Sequence, residues 1–328
     1  MSLLADKFAN VASAEQMFAE ECAEILAGLK AEQKRISPKY FYDQRGSELF
    51  DAICTLPEYY PTRTEFGIME RHLPEIADLV GPGAAVIEFG AGSSAKARQL
   101  LAALHEPVAY VPVEISGEYL NEQAEELARD FPDVSVVPVV ADFTKPFDLP
   151  AHPTMPQRNL VFFPGSTIGN FTRGDARSLL EIMRQEAKPG GTLLVGVDLL
   201  KDVRILEAAY NDVQGVTAAF NRNVLEHLNT ALGADFESQR FVHEAVYDER
   251  RERIEMRLVS TTDQVVHLGG EEIPFAAGEH IVTEYSHKYS VEGFWTLARQ
   301  AGLTPEAFWT DPDDLFSVHY LTVPASPS

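Results

Sequence analysis

Three acids stand where successive strands of an alternating βα pattern end. Glu88 lies two residues before Gly90 in "VIEFGAGSSAK" (86–96), Glu114 in "YVPVEIS" and Asp142 in "VVADF". Around Gly90 and Gly92 the chain reads as strand, glycine-rich turn, helix. Glycines there let the backbone turn tightly and approach a ligand closely. A dinucleotide fingerprint needs a third glycine where this chain has Ala95. The spacing E-x-G-x-G without that glycine suits S-adenosylmethionine (SAM), which has no pyrophosphate to cradle. Glu114, roughly 20 residues past the glycines, can bind paired ribose hydroxyls. Asp142 can accept from an adenine amino group, and Phe143 can lie on the purine face. A bare turn and solvated strand ends would explain each feature singly. Three acids in register argue for a nucleoside.

A sulfonium methyl is transferred by in-line displacement onto a lone pair. An amine acceptor must first lose its proton, and positioning and desolvation carry most of the rate. No strong nucleophile is needed. The loop "FFPGSTIGNFT" (162–172) follows the fourth strand and faces the methyl group in such an architecture. It lacks the Asn/Asp-Pro-Pro-aromatic motif of DNA and protein-amide N-methyltransferases. Gly165, Ser166 and Thr167 offer backbone and hydroxyl groups. Asn170 offers a donor and an acceptor, which suits an amino acid's carboxylate and amine. An ordinary capped loop opening a helix would show the same residues.

Periodicity supplies the elements that must position these groups. Apolar spacing predicts helices over 13–30, 47–54 and 62–80. Strands follow at 84–90, 108–115, 134–143, 159–165 and 192–199, alternating with helices at 94–104, 116–131 (N-capped by Ser116) and 173–187. Residues 202–232 read as mostly helix, 239–260 as a hairpin with "DERRER" at its tip, and 264–268 and 280–289 as strands. A helix at 290–303 and a strand pair around "DPDD" close the chain. This pattern predicts an α/β fold. Its centre is a doubly wound, mainly parallel Rossmann-like methyltransferase sheet, accompanied by a second, smaller α+β substrate-binding lobe. The SAM-binding domain is expected at 61–199 and 288–323, and the substrate-binding lobe at 10–60 and 200–287, over the sheet's C-terminal edge.

Composition narrows the partners. The 328 residues carry a net charge of −23, which disfavours nucleic acid and anionic membranes and suits a cationic ligand. Two cysteines, Cys22 and Cys54, form no disulfide framework or metal pattern, as expected of a reducing cytosol. The N-terminus has no basic start followed by an apolar block, and no stretch approaches the roughly 18 apolar residues of a membrane span. A cytoplasmic monomer acting on a small molecule is expected.

The blocks "YFYDQRGSELFDAICTLPEYYPTRTE", "FGAGSSAK", "FFPGSTIGNF", "YNDVQGVTAAFNRNVL" and "TEYSHKYS" occur in this order. Together they resemble the L-histidine Nα-methyltransferase family of ergothioneine biosynthesis, over about residues 37–322. The resemblance implies SAM-dependent trimethylation of the α-amino group of histidine to hercynine. Carried over by motif, it places cofactor contacts at Tyr42, Gly90, Lys96, Glu114, Asp142 and Phe143; Glu88 and Gly92 join these from the turn itself. It places histidine contacts at Tyr59, Gly165, Asn170, Tyr210, Met256, Glu284 and Ser286. Glu114 departs from the family's commoner aspartate. Glu284 and Ser286, two apart on a predicted strand, face one side and can serve the two imidazole nitrogens. Tyr42, Tyr59 and Asn170 are the candidate catalytic residues, the tyrosines holding the methylated amine by cation–π attraction.

Other readings remain open at this level. One is a methyltransferase for another amino acid or an aromatic amine, such as a tryptophan-type substrate; another is a non-catalytic SAM-binding protein. His243, His267, His280, His287 and His319 show no metal-ligand spacing and read as surface or edge residues, with no metal expected. Lys201-Asp202 reads as turn chemistry, Phe50 as helix packing, and Tyr60 as packing or a second wall.

Overall fold

The computed structural model describes residues 18–92, 94–115, 117–145, 147–149 and 155–325. The chain divides into two compact units. One contains the residues up to Tyr59, Val203–Asp248 and Ile254–Tyr285; the other contains Tyr60–Asp202, Glu249–Arg253 and Ser286 onward.

The second unit is built on an eight-stranded sheet. Its strands are β1 (Ala84–Phe89), β2 (Ala109–Glu114), β3 (Ser135–Val136), β4 (Val139–Val140), β5 (Arg158–Phe163), β6 (Thr192–Asp198), β12 (Thr304–Thr310) and β13 (Phe316–Thr322). The order is β12-β13-β6-β5-β1-β2-β3, with β4 also on β2. Pairs among β1, β2, β3, β4, β5 and β6 are parallel, and β13 joins β6 antiparallel. Alternate residues of each central strand feed opposite faces. Ile87, Val161 and Val195 pack with Leu179, Leu180 and Met183 of α6 (Arg173–Ala187) and Phe294 of α9 (Val291–Gln300). Val86, Leu160 and Leu194 pack with Ile68 and Leu73 of α3 (Tyr60–Val80), Leu100 of α4 (Ala95–Ala103) and Leu127 of α5 (Gly117–Asp130). Burial on both faces explains why these strands are continuous apolar runs rather than alternating ones. This is the doubly wound, mainly parallel α/β sheet expected.

The first unit holds α1 (18–29), α2 (Gln44–Cys54), α7 (Val203–Tyr210) and α8 (Val216–Leu232). Its two small sheets are β11-β8-β7 and the antiparallel pair β10-β9. Their strands are β7 (Phe241–Asp248), β8 (Arg253–Ser260), β9 (Gln264–Leu268), β10 (Glu271–Phe275) and β11 (His280–His287). Asp43 caps α2 by accepting from Gly46 N at 2.7 Å, and its Oδ1 also accepts from Asn223 of α8 at 2.8 Å. Phe41 stacks on Phe220 of α8, with ring centroids 4.5 Å apart. Phe236, Phe241 and Phe275 form a second apolar cluster of edge-to-face rings.

Several sequence expectations need correction. The strand expected over 134–143 is two dipeptide bridges, because Pro138 lacks a ladder donor and interrupts the pairing. Asp142 therefore sits two residues beyond β4 in a turn, not at a strand end. The helix expected from 62 begins at Tyr60, with Pro61 in its first turn, where a missing N–H costs nothing. The helix expected from 47 begins at Gln44 behind the Asp43 cap. β10 escaped notice because Pro274 and its exposed acids read as loop. Of the helix expected over 13–30, residues 13–17 lie outside the described residues, as does the Ser116 cap.

Candidate active site

The glycine turn leaves β1 with its geometry set by hydrogen bonds. Gly90 N and Ala91 N both donate to Val113 O, at 2.9 and 3.3 Å. Gly90 has φ +71°, and a Cβ there would stand 3.4 Å from the Phe143 ring. Gly92 has no described atom within 4 Å of that position, so the turn offers a bare backbone to a ligand. Phe143 packs at 5.7 Å on Phe89 and at 5.9 Å on Phe163, under the turn. Glu114 and Asp142 are both partly exposed. Glu114 accepts from Ile115 N at 2.7 Å, and Asp142 from Thr144 N at 3.0 Å. Glu88 is different: it is 2% exposed and accepts from the Tyr110 hydroxyl at 2.5 Å. Burial lifts its carboxyl to about 7 against that hydrogen bond. A bare glycine turn with a ring beneath it and two part-exposed acids nearby fits a nucleoside carrying a small charged tail.

The acceptor loop is fixed from two sides. Glu65 of α3, 1% exposed, accepts from Gly165 N with both oxygens, at 3.0 and 2.9 Å, and from the Lys96 ammonium. A side chain at Gly165 (φ +80°) would stand 3.5 Å from Lys96 Nζ. Lys96, from the first turn of α4, and Gly165 are therefore neighbours, brought together by an acid the sequence reading missed. On the other side, Asp198 N donates to Ser166 Oγ at 2.9 Å, while Ser166 itself takes a left-handed φ of 57°. Asn170 ends the following 3-10 turn, Thr167–Asn170, and is partly exposed.

In the other unit the expected tyrosines form one aromatic array. Tyr42 meets Phe50 at 5.8 Å, Phe50 meets Tyr59 at 6.4 Å, and Tyr59 meets Tyr210 at 6.1 Å. Phe220 meets Tyr42 at 6.1 Å and Phe50 at 6.0 Å. Phe50 thus belongs to the wall, beyond the helix packing expected of it. Burial raises the Tyr59 phenol well above its ordinary value, with further contributions from Tyr210, Cys54, Glu284 and Tyr42. Tyr59 is a neutral phenol, and the Glu284 carboxylate is close enough to act on it. Met256 of β8 is 2% exposed, and its carbonyl accepts from Thr283 Oγ1 at 3.2 Å. The Tyr210 backbone is fixed too: its carbonyl bonds His243 Nε2 at 2.8 Å. A carbonyl only accepts, so Nε2 carries the hydrogen, and Asn221 Nδ2 donates to the other ring nitrogen at 2.8 Å.

Residues 21–323 match the family of histidine-specific, SAM-dependent methyltransferases. The chain is 40% identical over 309 residues to the histidine N-alpha-methyltransferase of Mycolicibacterium smegmatis, covering 91% of this chain and 95% of that one. It belongs to this family. The protein of the same name from Mycobacterium tuberculosis is 39% identical over 296 residues, covering 88% and 90% of the two chains. Ergothioneine biosynthesis protein 1 of Neurospora crassa is 32% identical over 287 residues, covering 85% of this chain and 32% of that one.

This histidine-specific methyltransferase also buries charges that the sequence did not advertise. Lys201, read as turn chemistry, has a side chain only 5% exposed. Its ammonium donates to Asp198 Oδ1 at 2.6 Å, to the Tyr60 hydroxyl at 2.7 Å and to the Leu199 carbonyl. Tyr60 is 2% exposed and donates to the Asp198 carboxylate at 2.8 Å. Lys288, fully buried, donates to Asp198 Oδ2 at 2.6 Å and to Ser286 Oγ at 2.7 Å. Burial works to raise the Asp198 carboxyl, but the two ammoniums outweigh it and hold it below the carboxylate range. Two histidines expected at the surface or at an edge are also interior. His319 is fully buried; Trp295 Nε1 donates to its Nδ1 at 3.0 Å, so the ring is neutral with its other nitrogen 2.8 Å from Ser317 Oγ. His287 is 4% exposed, and burial lowers it to about 4. No group of three or more His, Cys, Asp or Glu side chains among the described residues is placed to hold a metal ion.

Proposed function

We propose that this chain transfers three methyl groups from SAM to the α-amino group of L-histidine, giving hercynine for ergothioneine synthesis. The observation that carries this reading is the extent of the family match, which runs from residue 21 to 323 and so through both units. When bound, SAM supplies an electrophilic methyl group. The protein's own residues bind, orient and desolvate. Gly90 and Gly92 give the ligand access to backbone, with Glu88 behind the turn. Glu114 takes the ribose hydroxyls, Asp142 the adenine amino group and Phe143 the purine face. Tyr42 and Lys96 complete the cofactor contacts. Asn170 and Tyr210 hold the amino acid's carboxylate beside Gly165, Met256 walls the ring, and Glu284 and Ser286 serve the two imidazole nitrogens.

Tyr59 stays protonated at neutral pH, so its oxygen can accept from the amine and orient the lone pair. Each methyl added makes that amine a better cation for the aromatic wall, worth roughly 0.5–2 kcal/mol per face. The same reading has the enzyme act as a cytoplasmic monomer on a small molecule, without nucleic acid or membrane. Its charge of −23 argues against nucleic acid, and no helix among the described residues is long and apolar enough to cross a membrane. The test is incubation with SAM and each proteinogenic amino acid, read by mass. One, two and three methyl increments on histidine alone are expected. No increment on histidine, or equal methylation of tryptophan, overturns the reading.

A further inference from the structure

Lys288 needs a reason. Its side chain is fully buried, and it is the second ammonium on a single carboxylate. Tyr60, Lys201 and Asp198 already bond one another without it. Buried ion pairs add little stability over apolar residues of similar volume, so packing alone does not account for a second lysine. It also donates a hydrogen bond to Ser286 Oγ at 2.7 Å. Asp198 holds the ammonium from the other side at 2.6 Å, so the donor cannot swing away.

A serine hydroxyl has two lone pairs and one hydrogen. An ammonium on one lone pair polarises the O–H bond and strengthens the hydroxyl as a donor. An imidazolium offers no acceptor nitrogen, whereas a neutral imidazole offers one. We propose that Lys288 is a positioning residue: anchored by Asp198, it fixes the Ser286 hydroxyl as a donor, so that the site takes histidine with an unprotonated ring nitrogen. This rests on the reading of Ser286 as a histidine contact.

The test is a double-mutant cycle in the full-length enzyme, with Lys288→Met, Ser286→Ala and the pair. KM for histidine is expected to rise about tenfold in each single variant, the size of one charge-assisted hydrogen bond. SAM affinity, measured by calorimetry, should stay within about twofold, because a folded cofactor site is untouched. The double variant should be no worse than the poorer single one. Losses that multiply overturn the proposal, as does SAM binding that weakens in step with histidine binding. If Lys288→Met does not fold, Lys288→Gln retains a donor; a wild-type-like KM supports the proposal, and a loss equal to that of Ser286→Ala overturns it. A wild-type KM in Ser286→Ala removes Ser286 from the ring itself, and the proposal falls with that part of the functional reading rather than on the lysine.

Discussion

Asn221 in one unit and Asp198 in the other each gather buried hydrogen bonds from several elements, by opposite means. Asn221, on α8 and fully buried, reaches all three strands of its sheet. It meets His243 of β7 at 2.8 Å, donates to Arg257 O of β8 at 3.0 Å and accepts from Thr283 of β11 at 2.6 Å. Every partner there is neutral or backbone, since burial lowers the affinity of His243 for its proton. Asp198 instead gathers two ammoniums and a phenol. A neutral hub satisfies groups that any folded helix-on-sheet unit would have to bury. A charged hub incurs a desolvation cost that such a unit does not require. The difference separates a joint that holds an element in place from one that sets the hydrogen-bond direction of a side chain.

The sharpest way to break this comparison is to remove each centre. Asp198→Ala strands two buried ammoniums and is expected to cost about 3–5 kcal/mol, or the fold itself. Asn221→Ala takes the donor away from His243 Nδ1 and from the Arg257 carbonyl, while Thr283 Oγ1 keeps the Met256 carbonyl, for about 2–3 kcal/mol. Urea unfolding of both proteins checks the order, and an Asn221→Ala loss as large as that of Asp198→Ala would erase the distinction.

A smaller effect separates the hubs by pH. The folded-state affinity of His243 for a proton lies below its ordinary 6.5, so its contribution is present above that pH and lost as pH falls through the folded value. Lys201 is lowered from 10.5 to about 8, by burial first, with Asp198 opposing. Between those values the unfolded chain binds more protons, so this group's contribution rises with pH. Relative to wild type, His243→Asn should flatten the acid limb of the stability profile, and Lys201→Met should remove the rise above about pH 8. Profiles with unchanged slopes would show that neither group titrates as its surroundings dictate.

Smallest of all, Tyr42→Phe keeps the ring of the aromatic wall and removes only its hydroxyl. The ratio of mono-, di- and trimethylated products should shift about two- to tenfold, the value of one neutral hydrogen bond. An unchanged product distribution and rate would take that hydroxyl out of the chemistry.

The sheet was legible because its strands are apolar on both faces and its helices keep one periodicity. The glycine turn and the acids near it were legible because their spacing is local. Tyr42, Lys96, Tyr210, Met256 and Glu284 were visible only through family resemblance, since periodicity makes each an ordinary wall, surface or core residue. Glu65, Lys201, Lys288 and His319 were misread or passed over. Each is a polar or charged residue type that, taken alone, reads as exposed. What buries it is a partner far along the chain: Gly165 for Glu65, Asp198 for Lys288, Trp295 for His319. Pairings of that kind have no period, so a pattern reading cannot contain them.

Gly196 lies in the middle of β6, where a methyl group would stand 2.1 Å from Glu65 Oε1. The carboxylate that clasps Lys96 and Gly165 therefore occupies volume that an ordinary strand gives to its own side chain. Positions 65 and 196 amount to one heritable character. Filling the strand first would break the clasp; shortening the acid first would still leave the methyl group 3.2 Å from Gly165 N, so that backbone must also give way slightly. Among descendants of this enzyme, substitutions at the two positions are expected to arrive together or with the acid shortened first.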